Sequence, residues 1–139
     1  MTGTHATLQY AGDEFFIATT PSGHAQTLDF KSGRGVAAGP LELLLVALGG
    51  CTGADVISIL NKKREHVTAY RIEVHGERRE EHPRSYHRLE VRHFLRGRGI
   101  SPKAVEQAVQ LSTDKYCSVA AALRPTAEIV STFQIEEEA

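Results

Sequence analysis

The stretch "GPLELLLVALGGCTGADVISIL", residues 39–60, opens on a proline, runs almost wholly apolar, and then sets three glycines around one cysteine. Pro40 suits the first turn of a helix, where its missing N–H would find no partner anyway. Glu42 in the same turn complements the helix dipole. Leu41, Leu43, Leu44, Leu45, Val46 and Leu48, followed by Val56, Ile57, Ile59 and Leu60, make the first half apolar nearly all round, as in a helix buried on most sides. A glycine in a helix interior costs about 1 kcal/mol relative to alanine. Gly49, Gly50 and Gly53 therefore weaken this helix at the point where it carries Cys51.

On either side of this helix the pattern changes to that of strands. Residues 6–11, 14–20 and 25–31 alternate apolar and polar and are broken by "AGDE" and "PSGH", which suits a three-stranded meander. "KSGRGVAAG" follows as a flexible loop. Beyond the helix, 67–81 and 86–96 alternate over long stretches, as two antiparallel strands with one wet face do, and "HPRS" marks the turn between them. "SPKAVEQAVQLSTDKY" then offers Ser101 as N-cap, Pro102 at the first helical position, and Ala104, Val105, Ala108, Val109 and Leu111 at helical spacing. "CSVAAAL" reads as a further short helical piece and 126–136 as a last strand. The order strands, helix, strands, helix, strand is that of an α+β protein, with residues 1–139 forming one domain.

Composition narrows the function classes. The chain is 41% hydrophobic and 24% charged with a formal net charge of −1, typical of a globular protein and without the excess basic charge that binds nucleic acid or anionic membranes. The longest apolar run, Pro40 to Leu48, falls well short of the roughly 20 residues that span a bilayer, and the first ten residues resemble no targeting segment. A cytoplasmic protein with no membrane or nucleic-acid partner is expected. Two cysteines do not make a disulfide scaffold; in a reducing compartment such a pair is free, metal-binding or redox-active. The seven histidines show no HxxxH or HExxH spacing, which predicts solvated surface histidines, no metal site and no cofactor.

On a helix Cys51, Asp55, Ser58 and Lys62 share one face, a polar stripe in an otherwise apolar element. A lone cysteine in a core helix is usually an inert small hydrophobe. The second cysteine, Cys117 in "DKYCSVAAAL", precedes a helical turn whose unpaired N–H groups favour a thiolate. Spacing alone leaves open whether the two thiols meet.

"GPLELLLVALGGCTGADVISIL" together with "LSTDKYCSVAAAL" resembles the two-cysteine signature of the OsmC/Ohr family of thiol peroxidases, and "HGERREEHPRSYHRLEVRHF" between them resembles its YhfA-like branch. The likeness runs from about residue 23 to 135. It implies antiparallel sheets packed around long central helices in an intertwined homodimer, with active sites at the subunit interface. In such an assembly the glycines would let a partner element approach closely and leave a narrow channel to sulfur.

The resemblance further implies that Cys51 attacks a small-molecule hydroperoxide and becomes a sulfenic acid. Cys117 then resolves it to a disulfide, which an external dithiol reduces. A thiol near pKa 8.5 is only a few per cent ionised at neutral pH, so a nearby guanidinium held by a carboxylate is expected. Glu42 matches the family's arginine-orienting glutamate. The N-terminal strands that carry the family's arginine have none here, which leaves Arg34 in the loop and Arg78, Arg79 and Arg84 in "ERREEHPR", with Arg78 and Arg79 preferred. Asp55, one turn from Cys51, would oppose ionisation unless paired with Lys62 or an arginine. Ala47, Leu48, Val119, Ala120 and Leu123 suit an alkyl tail or a core equally. The alternatives to a peroxidase are a non-catalytic redox sensor, a small-ligand-binding dimer, and a structural dimer with inert thiols.

Overall fold

A computed structural model describes residues 3–139. Contacts gather into two compact units, one up to Leu44 and one from Leu45 to Ala139, joined by the continuous helix α1 (Pro40–Lys62). The α+β class and the chain order expected from the sequence are both present.

The first unit is the predicted meander: β1 (Thr7–Gly12), β2 (Phe15–Thr19) and β3 (Ala25–Asp29) pair antiparallel in that order. Asp13 and Glu14 both take positive φ, 49° and 61°, as a two-residue hairpin turn requires. The loop after β3, expected to be flexible, is tied down. The Asp29 carboxylate accepts from the N–H groups of Lys31 and Val36, both at 3.0 Å, and holds Arg34 bidentately at 2.7 and 2.8 Å. Arg34 also bonds the Asp13 carboxylate and carbonyl and lies 4.0 Å over the Phe15 ring. The guanidinium holds the Asp29 carboxyl well below the usual carboxylate range.

In the second unit β4 (His66–Arg78) and β5 (Tyr86–Arg98) form the long antiparallel pair, and β6 (Glu128–Glu137) runs parallel to β5. The parallel pairing follows from the connection: α2 (Pro102–Leu111), a π-helical turn (Ser112–Tyr116) and α3 (Ser118–Leu123) carry the chain back across before β6 begins. Ser101 caps α2 as expected, its Oγ accepting from the Ala104 N–H at 3.2 Å. Val56 and Leu60 of α1 meet Val105, Ala108 and Val109 of α2 and Leu95 of β5 in the core.

Three further expectations are corrected. Within the chain α1 is buried along one stripe, Leu48, Gly49, Thr52, Gly53, Val56 and Leu60, while Val46 is 68% exposed. One sheet covers only one flank of a helix. As a 23-residue helix α1 is also long and apolar enough to cross a membrane by length and composition, because the stretch between its polar ends extends past Leu48. In the structure its inner stripe belongs to the core. His93 is not a surface histidine: alternation along β5 turns it inward with Leu89, Val91 and Leu95, and it is fully buried.

Candidate active site

Gly49 and Gly53 stand one turn apart on the flank of α1 that faces β4. A Cβ on Gly53 would collide with Ile72 Cδ1, and one on Gly49 would sit 3.1 Å from Val74 Cγ2. These glycines let helix and strand of the same unit touch, rather than admitting a partner element as the resemblance suggested. Gly50 is different, being exposed with nothing within 4 Å of its would-be Cβ. Close seating of α1 fixes the rotation of the helix and turns Cys51 and Asp55, both half-buried, toward the α2–α3 connection.

There they meet Cys117. The two sulfurs and a carboxylate oxygen of Asp55 all lie within 4.8 Å of one another, and both cysteines are free thiols. Ser112 Oγ donates to Asp55 Oδ2 at 2.9 Å. A hydroxyl has one proton to give, so in the 2.8 Å contact between Thr52 Oγ1 and Ser112 Oγ it is Thr52 that donates. The chain of donation runs Thr52 to Ser112 to Asp55. The expected pairing of Asp55 with Lys62 or an arginine is absent: among the described residues Asp55 makes no ion pair, and Ser58 and Lys62 are exposed farther along α1.

The sequence "LSTDKYC" reads as continuous α-helix, but its last five residues before Cys117 widen into a π turn closed by Cys117 N–H to Ser112 carbonyl, 2.8 Å. Such turns occur frequently at functional sites. Thr113 Oγ1 bonds back to the Val109 carbonyl at 3.0 Å, and Arg124 donates to the Thr113 carbonyl. Cys117 is then the N-cap of α3, with its Sγ accepting from Ala120 N–H at 3.3 Å. The thiol is only 2% exposed. Burial pushes it up to about 11 and the neighbouring Cys51 thiol pushes the same way, against the N–H groups of Ala120 and Val119. A buried protonated thiol beside a more accessible one is therefore the resting arrangement.

The other predicted residues stand elsewhere. Glu42 Oε1 accepts from Gly39 N–H at 3.1 Å, half of a capping box at the start of α1. Arg34 is committed to Asp29 and Asp13. Arg78 and Arg79 are exposed at the β4–β5 turn, where Arg78 Nε donates to the Arg84 carbonyl at 2.6 Å. Arg84 Nε donates in turn to the Arg79 carbonyl at 3.3 Å. Neither is brought to the thiols within the chain, since β4 meets α1 at Ile72 and Val74 and Arg78 lies beyond Gly76. Of the residues that suit an alkyl tail or a core, Leu48 and Ala120 are core; Ala47 is exposed, and Val119 and Leu123 are half-buried. Thr52 and Ser112 were not foreseen as site residues. Each is buried and lies inside one of the quoted motifs, but nothing in their spacing announces a contact.

The chain matches the family model described as OsmC-like protein over residues 33–132. It is 38% identical over 120 residues to Protein YhfA of Escherichia coli K12, covering 86% of this chain and 89% of that protein. A crystal structure of a hypothetical protein from Aquifex aeolicus superimposes with TM-score 0.88 at 36% identity, covering all of both chains. An organic hydroperoxide resistance protein from Legionella pneumophila shares the fold, with TM-score 0.69 at 16% identity over 96% of this chain and 98% of that one.

Proposed function

The chain belongs to the OsmC-like family, and on that premise we propose that it is a cysteine-dependent peroxidase acting on organic or inorganic hydroperoxides in the cytoplasm. The observation that carries this reading is the meeting of Cys51 and Cys117 sulfurs within 4.8 Å of each other across two distant segments. The hydroperoxide resistance protein among its structural neighbours supports it.

Cys51, the more accessible thiol, attacks as thiolate on the distal oxygen of the hydroperoxide. The O–O bond breaks, sulfur is oxidised to sulfenic acid, and the alkoxide leaves as alcohol after taking a proton. Cys117 must lose its own proton before it can attack that sulfur. The Asp55 carboxylate, within 4.8 Å of its Sγ, is a base in reach. Formation of the S–S bond expels water, and two electrons from an external dithiol then return both thiols by exchange. Glu42, Arg78 and Arg79 enter this scheme only through a homodimer, with a partner chain supplying the guanidinium.

Steady-state consumption of cumene hydroperoxide with a dithiol reductant tests the proposal. Cys51→Ser should abolish turnover, whereas Cys117→Ser, which keeps a capping oxygen for α3, should trap a sulfenic acid at Cys51. Turnover no faster than that of free dithiol would reject a peroxidase. Asp55 beside the thiols favours a second reading, a redox sensor that forms the same disulfide without rapid turnover.

A further inference from the structure

Asp55 is the member of the trio that attack on a peroxide does not need. Its carboxylate oxygen nonetheless stands close to both sulfurs. Toward a cation the same placement is favourable. We propose that the reduced site also binds one thiophilic divalent cation of the zinc class, held by Cys51 Sγ, Cys117 Sγ and a carboxylate oxygen of Asp55, with a fourth position left to water.

Tetrahedral zinc with Zn–S near 2.3 Å and Zn–O near 2.0–2.2 Å places its donor atoms roughly 3.5–3.8 Å apart. The three donors here already lie within 4.8 Å of one another, so the largest separation exceeds that spacing by only about 1 Å. Cys51 and Asp55 stand one turn apart on one helix face and Cys117 approaches from the α2–α3 connection, which gives three converging directions rather than a row. Two thiolates select zinc or cadmium over magnesium or calcium. The carboxylate is oriented from behind, as metal-ligating carboxylates usually are, by Ser112 Oγ at 2.9 Å and through it by Thr52, both buried. No metal-ligand spacing is visible along the chain because the ligands come from segments far apart in it.

Binding is an exchange without redox change: each S–H gives up its proton as an S–M bond forms. Thiolates engaged with the cation are unavailable to a hydroperoxide, and a Cys51–Cys117 disulfide has no thiolate left to bind. The inference rests on the geometry of the trio and stands apart from the peroxidase reading.

The test is titration of the fully reduced, full-length protein under anaerobic conditions in a phosphine reductant. Zinc competes against a chromophoric chelator, and cobalt(II) serves as the spectroscopic probe. The expected result is one zinc per chain, proton release on binding, sulfur-to-cobalt charge-transfer absorption, and no binding to the disulfide form. Asp55→Asn should weaken zinc by about tenfold or more, with circular dichroism confirming an unchanged fold. Substoichiometric zinc without a charge-transfer band in the parent protein would overturn the site, a result that needs no variant. An Asp55→Asn variant that holds zinc as tightly as the parent would overturn it too, by removing the carboxylate from the ligand set. No peroxide is present in either measurement, so failure here leaves peroxidase activity to be judged separately.

Discussion

Thr52 on α1 and Ser112 in the π-helical turn are buried with their hydroxyl oxygens 2.8 Å apart, 60 positions distant in sequence. With the Ser112–Asp55 hydrogen bond, this contact ties the helix that carries Cys51 and Asp55 to the connection that carries Cys117. Ser112→Ala removes the donor to Asp55 and leaves the Thr52 hydroxyl without its acceptor. Unsatisfied buried groups of this kind cost about 1–3 kcal/mol. Chemical denaturation should show a loss of that size. Disulfide formation after one equivalent of hydroperoxide should also slow, because the Asp55 carboxylate loses the bond that orients it toward Cys117.

The glycines of α1 make opposite demands. Alanine at Gly53 meets Ile72, and alanine at Gly49 sits at 3.1 Å from Val74, whereas alanine at Gly50 meets nothing within 4 Å among the described residues. Overpacking in a core costs about 1–3 kcal/mol, while relieving a helix of an interior glycine gains up to about 1 kcal/mol. The propensity gain is common to all three, so thermal or denaturant unfolding should rank Gly53→Ala about 1–3 kcal/mol below Gly50→Ala, with Gly49→Ala between them. Equal stabilities for the Gly50 and Gly53 variants would mean that close seating on β4 is not what these positions serve.

The second chemical step should depend on pH. Burial holds the Cys117 thiol up at about 11, so at neutral pH its thiolate is scarce and grows about tenfold for each unit of pH. Oxidation of Cys51 removes the neighbouring thiol's contribution to this shift, but burial, the larger cause, remains. In Asp55→Asn, which lacks the neighbouring base, stopped-flow conversion of the Cys51 sulfenic acid to disulfide should accelerate steadily from pH 7 to pH 9 without levelling. A plateau near pH 8 would place the Cys117 ionisation in the ordinary thiol range.

Local chemistry made most of the architecture legible. Pro40 and Ser101 sit where helices begin, "AGDE" folds into the hairpin turn with its two positive φ values, and period-two alternation marks β4 and β5. The parts that were hidden depend on contacts between distant segments. Nothing in "KSGRGVAAG" announces that a buried Asp29 fixes the loop through Arg34. Helical periodicity persists through "LSTDKY", so the widening at Ser112 that delivers Cys117 cannot be seen in it. The polar face Cys51, Asp55, Ser58, Lys62 is present as a geometric fact, yet only its first two members reach Cys117, because the connection crosses α1 near its middle. Alternation in β5 puts position 93 inside; reading the histidines as a class, by their lack of ligand spacing, concealed it.

That buried histidine carries the last prediction. His93 has no exposure, its Nδ1 lies 2.6 Å from the Tyr70 hydroxyl, and its Nε2 has no hydrogen-bond partner among the described residues. Burial lowers its pKa to about 4, from an ordinary value near 6.5. A base whose folded pKa is depressed binds its proton more readily in the unfolded chain, so stability is intact above about pH 6.5 and declines as the pH falls toward 4. The full loss from this group is about 3 kcal/mol. The Asp29 carboxyl, held below the usual carboxylate range by Arg34, gives up its contribution only at still lower pH, which separates the two effects. His93→Gln retains a polar group for Tyr70 and cannot take up a proton in this range. Unfolding free energies between pH 7 and 4.5 should fall distinctly less in this variant than in the parent protein. Parallel pH profiles for the two would assign the acid sensitivity to some other group.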